Sequence, residues 1–136
     1  MGFPAEDFMT ITDKKGKPLS EKQTAVIAAT LDSIRTSPIK DRIQDAFLYG
    51  STARGDSKYY SDIDILITVD GLQEMDDDEY DELKKIKLTH MKKKPYLFPE
   101  LDIHAMDTEQ WKNGNDIYTK NIRRDHIKLW NRTETD

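Results

Sequence analysis

The sequence predicts a single α+β domain, one sheet covered by a few helices. Three observations predict it. The chain has 136 residues, a size that suits one domain. Three short runs, near residues 43–49, 63–69 and 100–106, read as strands, the second rich in β-branched residues and the third alternating polar with apolar. Around and between them, apolar residues recur at helical spacing.

Residues 1–18 read as a lead-in that ends in a Gly16-Lys17-Pro18 turn, and residues 19–136 as the domain proper. Ser20 is the expected N-cap of a first helix, with Gln23 three residues later completing a capping box. Val26, Ile27, Ala28, Leu31 and Ile34 then fall on helical steps, and Ser37-Pro38 ends the helix near Thr36. Ala46-Phe47-Leu48-Tyr49, stopped by Gly50, closes a first strand that starts near Ile43. Residues 50–61 form a loop with room for one short helix. Ile63 to Val69 is the strongest strand signal, ended by Asp70-Gly71.

Residues 74–94 carry an acidic run followed by a basic one, with Tyr80, Leu83, Ile86 and His90 at helical steps. That charge order complements a helix dipole, as in a solvated amphipathic helix. A basic patch at Lys92–Lys94 for a substrate or partner is the alternative. Beyond Pro95 and Pro99, Glu100 to Met106 reads as a third strand with one buried face. Thr108 is the expected N-cap of a short helix, Asp116–Arg124 a further helical stretch, and Ile127–Trp130 a closing edge strand.

Composition excludes several function classes. The 26 acidic and 21 basic residues give a net charge of −5, whereas a general nucleic-acid binder usually carries a basic surplus. The chain contains no cysteine, so disulfides and thiolate metal sites are excluded. No apolar stretch approaches the ~20 residues that cross a bilayer. The opening MGFPAEDFMT lacks the basic and apolar regions of a signal peptide, and Glu6 at the sixth position argues against myristoylation of Gly2. A cytoplasmic location is the expectation.

Three pieces carry chemistry. Residues two apart on a strand share a face, so Asp62 and Asp64 are expected to point the same way and Ile63 and Ile65 the opposite way. Carboxylates held this close repel unless a cation lies between them, and Mg²⁺ often takes one or two carboxylates together with substrate phosphates. The second piece is Gly50-Ser51, where the chain leaves a strand. Backbone N–H groups at such a turn hold phosphate oxygens, the Ser51 hydroxyl adds a donor, and the Arg54 fork suits phosphate. The third is Asp102, in the third strand.

Taken together, GSTARGDSKYYSDIDILI resembles the signature of the DNA polymerase β-like nucleotidyltransferase superfamily, and in particular of its minimal nucleotidyltransferases. Gly50, Ser51, Ala53, Arg54, Gly55, Ser61, Asp62 and Asp64 match that pattern, which spans about an eighth of the chain. The tail from Asn121 to Trp130 is similar to the family's last helix and strand, but has Arg124-Asp125-His126 where Arg-Glu-Gly is common. The resemblance implies a mixed β-sheet with helices packed mainly on one face. It implies that Asp62 and Asp64 bind metal, completed by a third carboxylate on a neighbouring strand. Asp102 is the candidate and Glu100 the rival.

The resemblance further implies transfer of a nucleoside monophosphate from an NTP, ATP by family habit, to an acceptor hydroxyl. Two Mg²⁺ ions are expected, with Gly50, Ser51 and Arg54 on the nucleotide phosphates. Small members similar to this chain pair with a HEPN-domain protein, a helical RNase toxin, and adenylylate one of its tyrosines as antitoxins. Family enzymes that modify aminoglycosides usually carry an additional helical domain, for which 136 residues leave little room. Two alternatives stay open: a nucleotide-binding module that neutralises a partner by docking, and a small antibiotic-modifying enzyme. Tyr59 and Tyr60 are candidates to stack on a base or to anchor their loop. His104 shares strand parity with Asp102 and is a candidate to line the cleft.

Overall fold

The computed structural model describes residues 10–58, 62–88 and 101–132. His90, Lys92–Lys94, Glu100, Tyr59, Tyr60, Ser61 and the first nine residues lie outside the described residues.

Helix α1 (Glu21–Arg35) starts as the sequence expects. The Ser20 hydroxyl accepts the Gln23 N–H at 3.1 Å, and the Gln23 side chain accepts the Ser20 N–H at 2.9 Å. This reciprocal capping box satisfies two otherwise orphaned donors. Strand β1 (Ile43–Tyr49) runs directly into the short helix α2 (Gly50–Arg54), followed by β2 (Ile63–Val69) and α3 (Asp77–Lys87). The chain then forms β3 (Leu101–Asp107), α4 (Thr108–Asn113), α5 (Ile117–Asp125) and β4 (Ile127–Asn131).

One N-cap differs from expectation. Asp107, not Thr108, caps α4, accepting the Glu109 N–H at 3.0 Å. Thr108 is the first helical residue, buried, with its hydroxyl donating to Asp70 at 2.6 Å. The Thr108 side chain is instead turned toward Asp70, held there by a charge-assisted bond.

The sheet order is β3-β2-β1-β4. β1 runs antiparallel to both β2 and β4, whereas β2 and β3 are parallel, so the sheet is mixed. A parallel pair needs a crossover, and α3 lies in it. Asp76 and Glu79 form a second capping box at the start of α3.

The main core lies on one sheet face. Ile63, Ile65, Ile67 and Val69 of β2 meet Val26, Ile27, Leu31 and Ile34 of α1 and Leu83 and Ile86 of α3. Burying each such aliphatic side chain contributes about 1.5–3 kcal/mol. A smaller cluster covers the opposite face: Phe47, Leu66, Met106 and Ile122, flanked by Tyr49 and Trp111. There the Phe47 ring stacks on Trp111 with centroids 4.5 Å apart, and His126 meets Phe47 edge-on at 5.0 Å. Among the described residues no helix is long and apolar enough to cross a membrane.

Candidate active site

The second, thinner face of the sheet is where the predicted carboxylates meet. Strand alternation sends Ile63 and Ile65 into the main core, so Asp64 between them faces the other way. β2 and β3 pair in register with Asp64 directly opposite Asp102. On the other flank, Tyr49 of β1 pairs with Asp64. Asp62 lies one residue before β2, exposed, and its charge acts on Asp64.

Gly50 explains why this chain turns where it does. Its φ of +74° belongs to the left-handed region, which glycine enters without penalty. A Cβ there would also sit 2.3 Å from Oδ2 of Asp64. The glycine thus makes room for the carboxylate as well as for the turn. No side chain caps the start of α2 at Tyr49, so Ser51 and its neighbours begin a helical turn whose N–H groups have no side-chain acceptor from the cap position.

Electrostatics follow from this crowding. Partial burial pushes the Asp64 carboxyl up to about 6, with the charges of Asp102 and Asp62 adding to the shift. His104 and Arg54 oppose it. Burial also raises the Tyr49 phenol, reinforced by its hydrogen bond to Tyr118 and by the charges of Asp64 and Asp102. His104 holds Asp102 from the side, with Nε2 3.2 Å from Oδ2, and both side chains remain about half exposed.

Arg54 sits at the other end of α2. Its guanidinium bonds Asp56 at 3.2 Å and Asp125 at 3.3 Å, while 42% of its side chain stays exposed. Asp125 is buried and also accepts from Arg124 at 2.9 Å. Hydrogen bonds from Arg124 and Arg54 hold its carboxyl below the usual range. Asp125 thus ties α5 to α2. A cavity of about 380 Å³, lined by residues that include Lys17, Ser20, Gln23, Gly55 and Lys58, opens at this C-terminal end of α2, away from the carboxylates.

The structure therefore brings Asp64, Asp102 and Gly50 together, with Asp62 and Ser51 adjoining, and sets Arg54 one helical turn away. The tie from Asp125 to Arg54 and the Tyr49–Tyr118 pair went unnoticed in the sequence. Tyr49 had a signal available: it sits directly before Gly50, two residues from Phe47 and on the same face. Among the described residues no three histidine or acidic side chains form a ready-made metal cage. The donor set nonetheless fits a hard divalent cation. All the donors are carboxylate oxygens, one of them is partly buried with its charge poorly compensated, and Mg²⁺ habitually completes its shell with water and phosphate.

Comparison with known proteins gives the family and the fold. The nucleotidyltransferase domain family matches residues 30–127, from the end of α1 to the start of β4. A crystal structure of a candidate nucleotidyltransferase from Sulfolobus solfataricus has the same fold. Its TM-score is 0.55 at 20% identity, covering 84% of this chain and 87% of that one. A toxin–antitoxin structure with AMP-PNP matches at a TM-score of 0.49 and 15% identity, over 77% of this chain and 73% of that one. No curated protein sequence matches. With the signature lying inside the matched span, this chain belongs to the nucleotidyltransferase domain family.

Proposed function

We propose that this nucleotidyltransferase moves AMP from ATP to a hydroxyl on a protein partner, with Mg²⁺ held by Asp62, Asp64 and Asp102. The observation that carries the proposal is the in-register pair of Asp64 and Asp102 beside Gly50. Two carboxylates on adjacent strands, next to a backbone turn, leave space for a polyanion only if a cation joins them. Asp62, Asp64 and Asp102 would hold a divalent cation there, which would supply Lewis-acid activation of the acceptor hydroxyl and charge neutralisation for departing pyrophosphate.

The chain's own residues do the rest. Ser51, the backbone N–H groups after Gly50 and the exposed edge of Arg54 hold the β- and γ-phosphates. The acceptor oxygen attacks the α-phosphorus, the bond to the α–β bridging oxygen breaks, and pyrophosphate leaves. Asp102 takes the hydroxyl proton; its exposure and its contact with His104 keep it reachable and oriented. Positioning and electrostatics supply most of the rate, as in related phosphoryl chemistry.

For the acceptor, the likeness of the signature to minimal nucleotidyltransferases supports a tyrosine of a HEPN-type toxin, making this chain an antitoxin. The exposure of Asp62 and Asp102 supports an acceptor that arrives on another macromolecule. The test is incubation with α-labelled ATP, Mg²⁺ and the product of a neighbouring gene. Label on a partner tyrosine, lost when that tyrosine becomes Phe, is the expected result. A stable complex that never acquires label overturns the proposal in favour of docking.

A further inference from the structure

Helix α5 begins with two large apolar residues in solvent. Ile117 is 76% exposed and Tyr118 is 46% exposed. The rest of the helix is well anchored: Thr119, Ile122 and Asp125 are buried, and Asp116 caps the start by accepting the Thr119 N–H at 3.0 Å. The fold therefore fixes the position of Ile117 and Tyr118 without using them as core.

Their location gives them a purpose. The Tyr118 hydroxyl lies 3.3 Å from that of Tyr49. Tyr49 pairs across the sheet with Asp64 and directly precedes Gly50. The Tyr118 ring is thus pinned at its polar tip beside the carboxylate cluster while almost half of its surface stays open. A ring immobilised in advance loses little entropy when a flat partner stacks on it.

We propose that Tyr118, flanked by Ile117, is the shelf on which the nucleobase of the incoming NTP stacks. The proposal rests on the nucleotidyl-transfer reading above, because that chemistry brings a triphosphate to Asp64 and Asp102 with a base attached. A protein acceptor is the poorer occupant. Two side chains make a patch far below the ~1,000 Å² of a stable protein interface, yet one aromatic ring is the natural size for one base.

The test is calorimetric titration of wild type, Tyr118→Ala and Tyr118→Phe, each with Mg²⁺, using a non-hydrolysable ATP analogue and, separately, tripolyphosphate. Stacking predicts that Tyr118→Ala weakens the analogue about tenfold or more. It predicts that Tyr118→Phe, which keeps the ring but loses the pin to Tyr49, binds between the two, closer to wild type. Tripolyphosphate affinity is expected to be equal in all three. Unchanged analogue binding in Tyr118→Ala overturns the shelf, whether or not that variant's KM for the acceptor rises. So does a parallel loss of tripolyphosphate, which means that the substitution disturbed the fold. If wild type binds tripolyphosphate as tightly as the analogue, the shelf falls and the phosphate site stands. If wild type binds neither, both readings fall together.

Discussion

The two faces of strand β2 differ sharply although they share seven residues. On one face, Ile63, Ile65, Ile67 and Val69 are fully buried against α1 and α3. On the other, the same strand begins with the half-buried Asp64 and closes into core only at Leu66 and Thr68. The first face stabilises the domain. The second holds a carboxylate whose ionised form is disfavoured by burial and by its neighbours. A small domain thus keeps a disfavoured charge in place: the apolar face of the same strand supplies the stability that the carboxylate removes.

Substitutions on each face test that contrast. Ile65→Ala leaves a cavity in the main core and is expected to cost about 2–5 kcal/mol. Chemical denaturation measures it, and a loss below about 1 kcal/mol would break the comparison. Gly50→Ala comes next. It adds a Cβ to a left-handed position and presses on Asp64, so about 1–2 kcal/mol of stability is expected to go. Transfer activity is expected to fall further than stability does, because the side chain displaced is Asp64.

Asp64→Asn has a smaller effect, of opposite sign. The folded-state pKa of Asp64 is raised from 3.8 to about 6, so the folded protein holds that proton more tightly than the unfolded chain. Its stabilising contribution is fully present below pH ~3.8 and is lost as pH rises through about 6. Asn cannot ionise, so the variant is expected to exceed wild type at pH 7–8 by on the order of 1 kcal/mol, after discounting for solvent screening. The gain is expected to vanish near pH 4, and melting curves across that window check it. Asp102→Asn is expected to shift stability least, within about 0.5 kcal/mol, because an exposed carboxylate beside an exposed imidazole contributes little. Its transfer activity is nevertheless expected to collapse, which separates the chemical role from the structural one.

Much of this was legible in the sequence. Ser20 and Gln23 announced α1, and the β-branched run from Ile63 to Val69 announced β2, because caps and strand periodicity are local signals. The alternation Ile63-Asp64-Ile65 announced which face each side chain takes. Other features depended on tertiary packing and carried no local mark. The cap of α4 moved to Asp107 because Thr108 found Asp70, a partner 38 residues away. Asp125 looked like a departure from the family pattern until its contact with Arg54, 71 residues earlier in the chain, gave it a role. The Tyr49–Tyr118 contact spans 69 residues. The two pairing registers that bring Tyr49 and Asp102 to either side of Asp64 were equally out of reach.

The proposed function requires Asp64, opposite Asp102 and seated on Gly50, for chemistry and not for folding. Mg²⁺-dependent transfer by Asp64→Asn, measured beside its melting temperature at pH 7.5, tests this most directly. Transfer is expected to fall about a thousandfold or more in a protein that melts no lower than wild type. Transfer near the wild-type rate, or activity lost only because the variant unfolds, would contradict it.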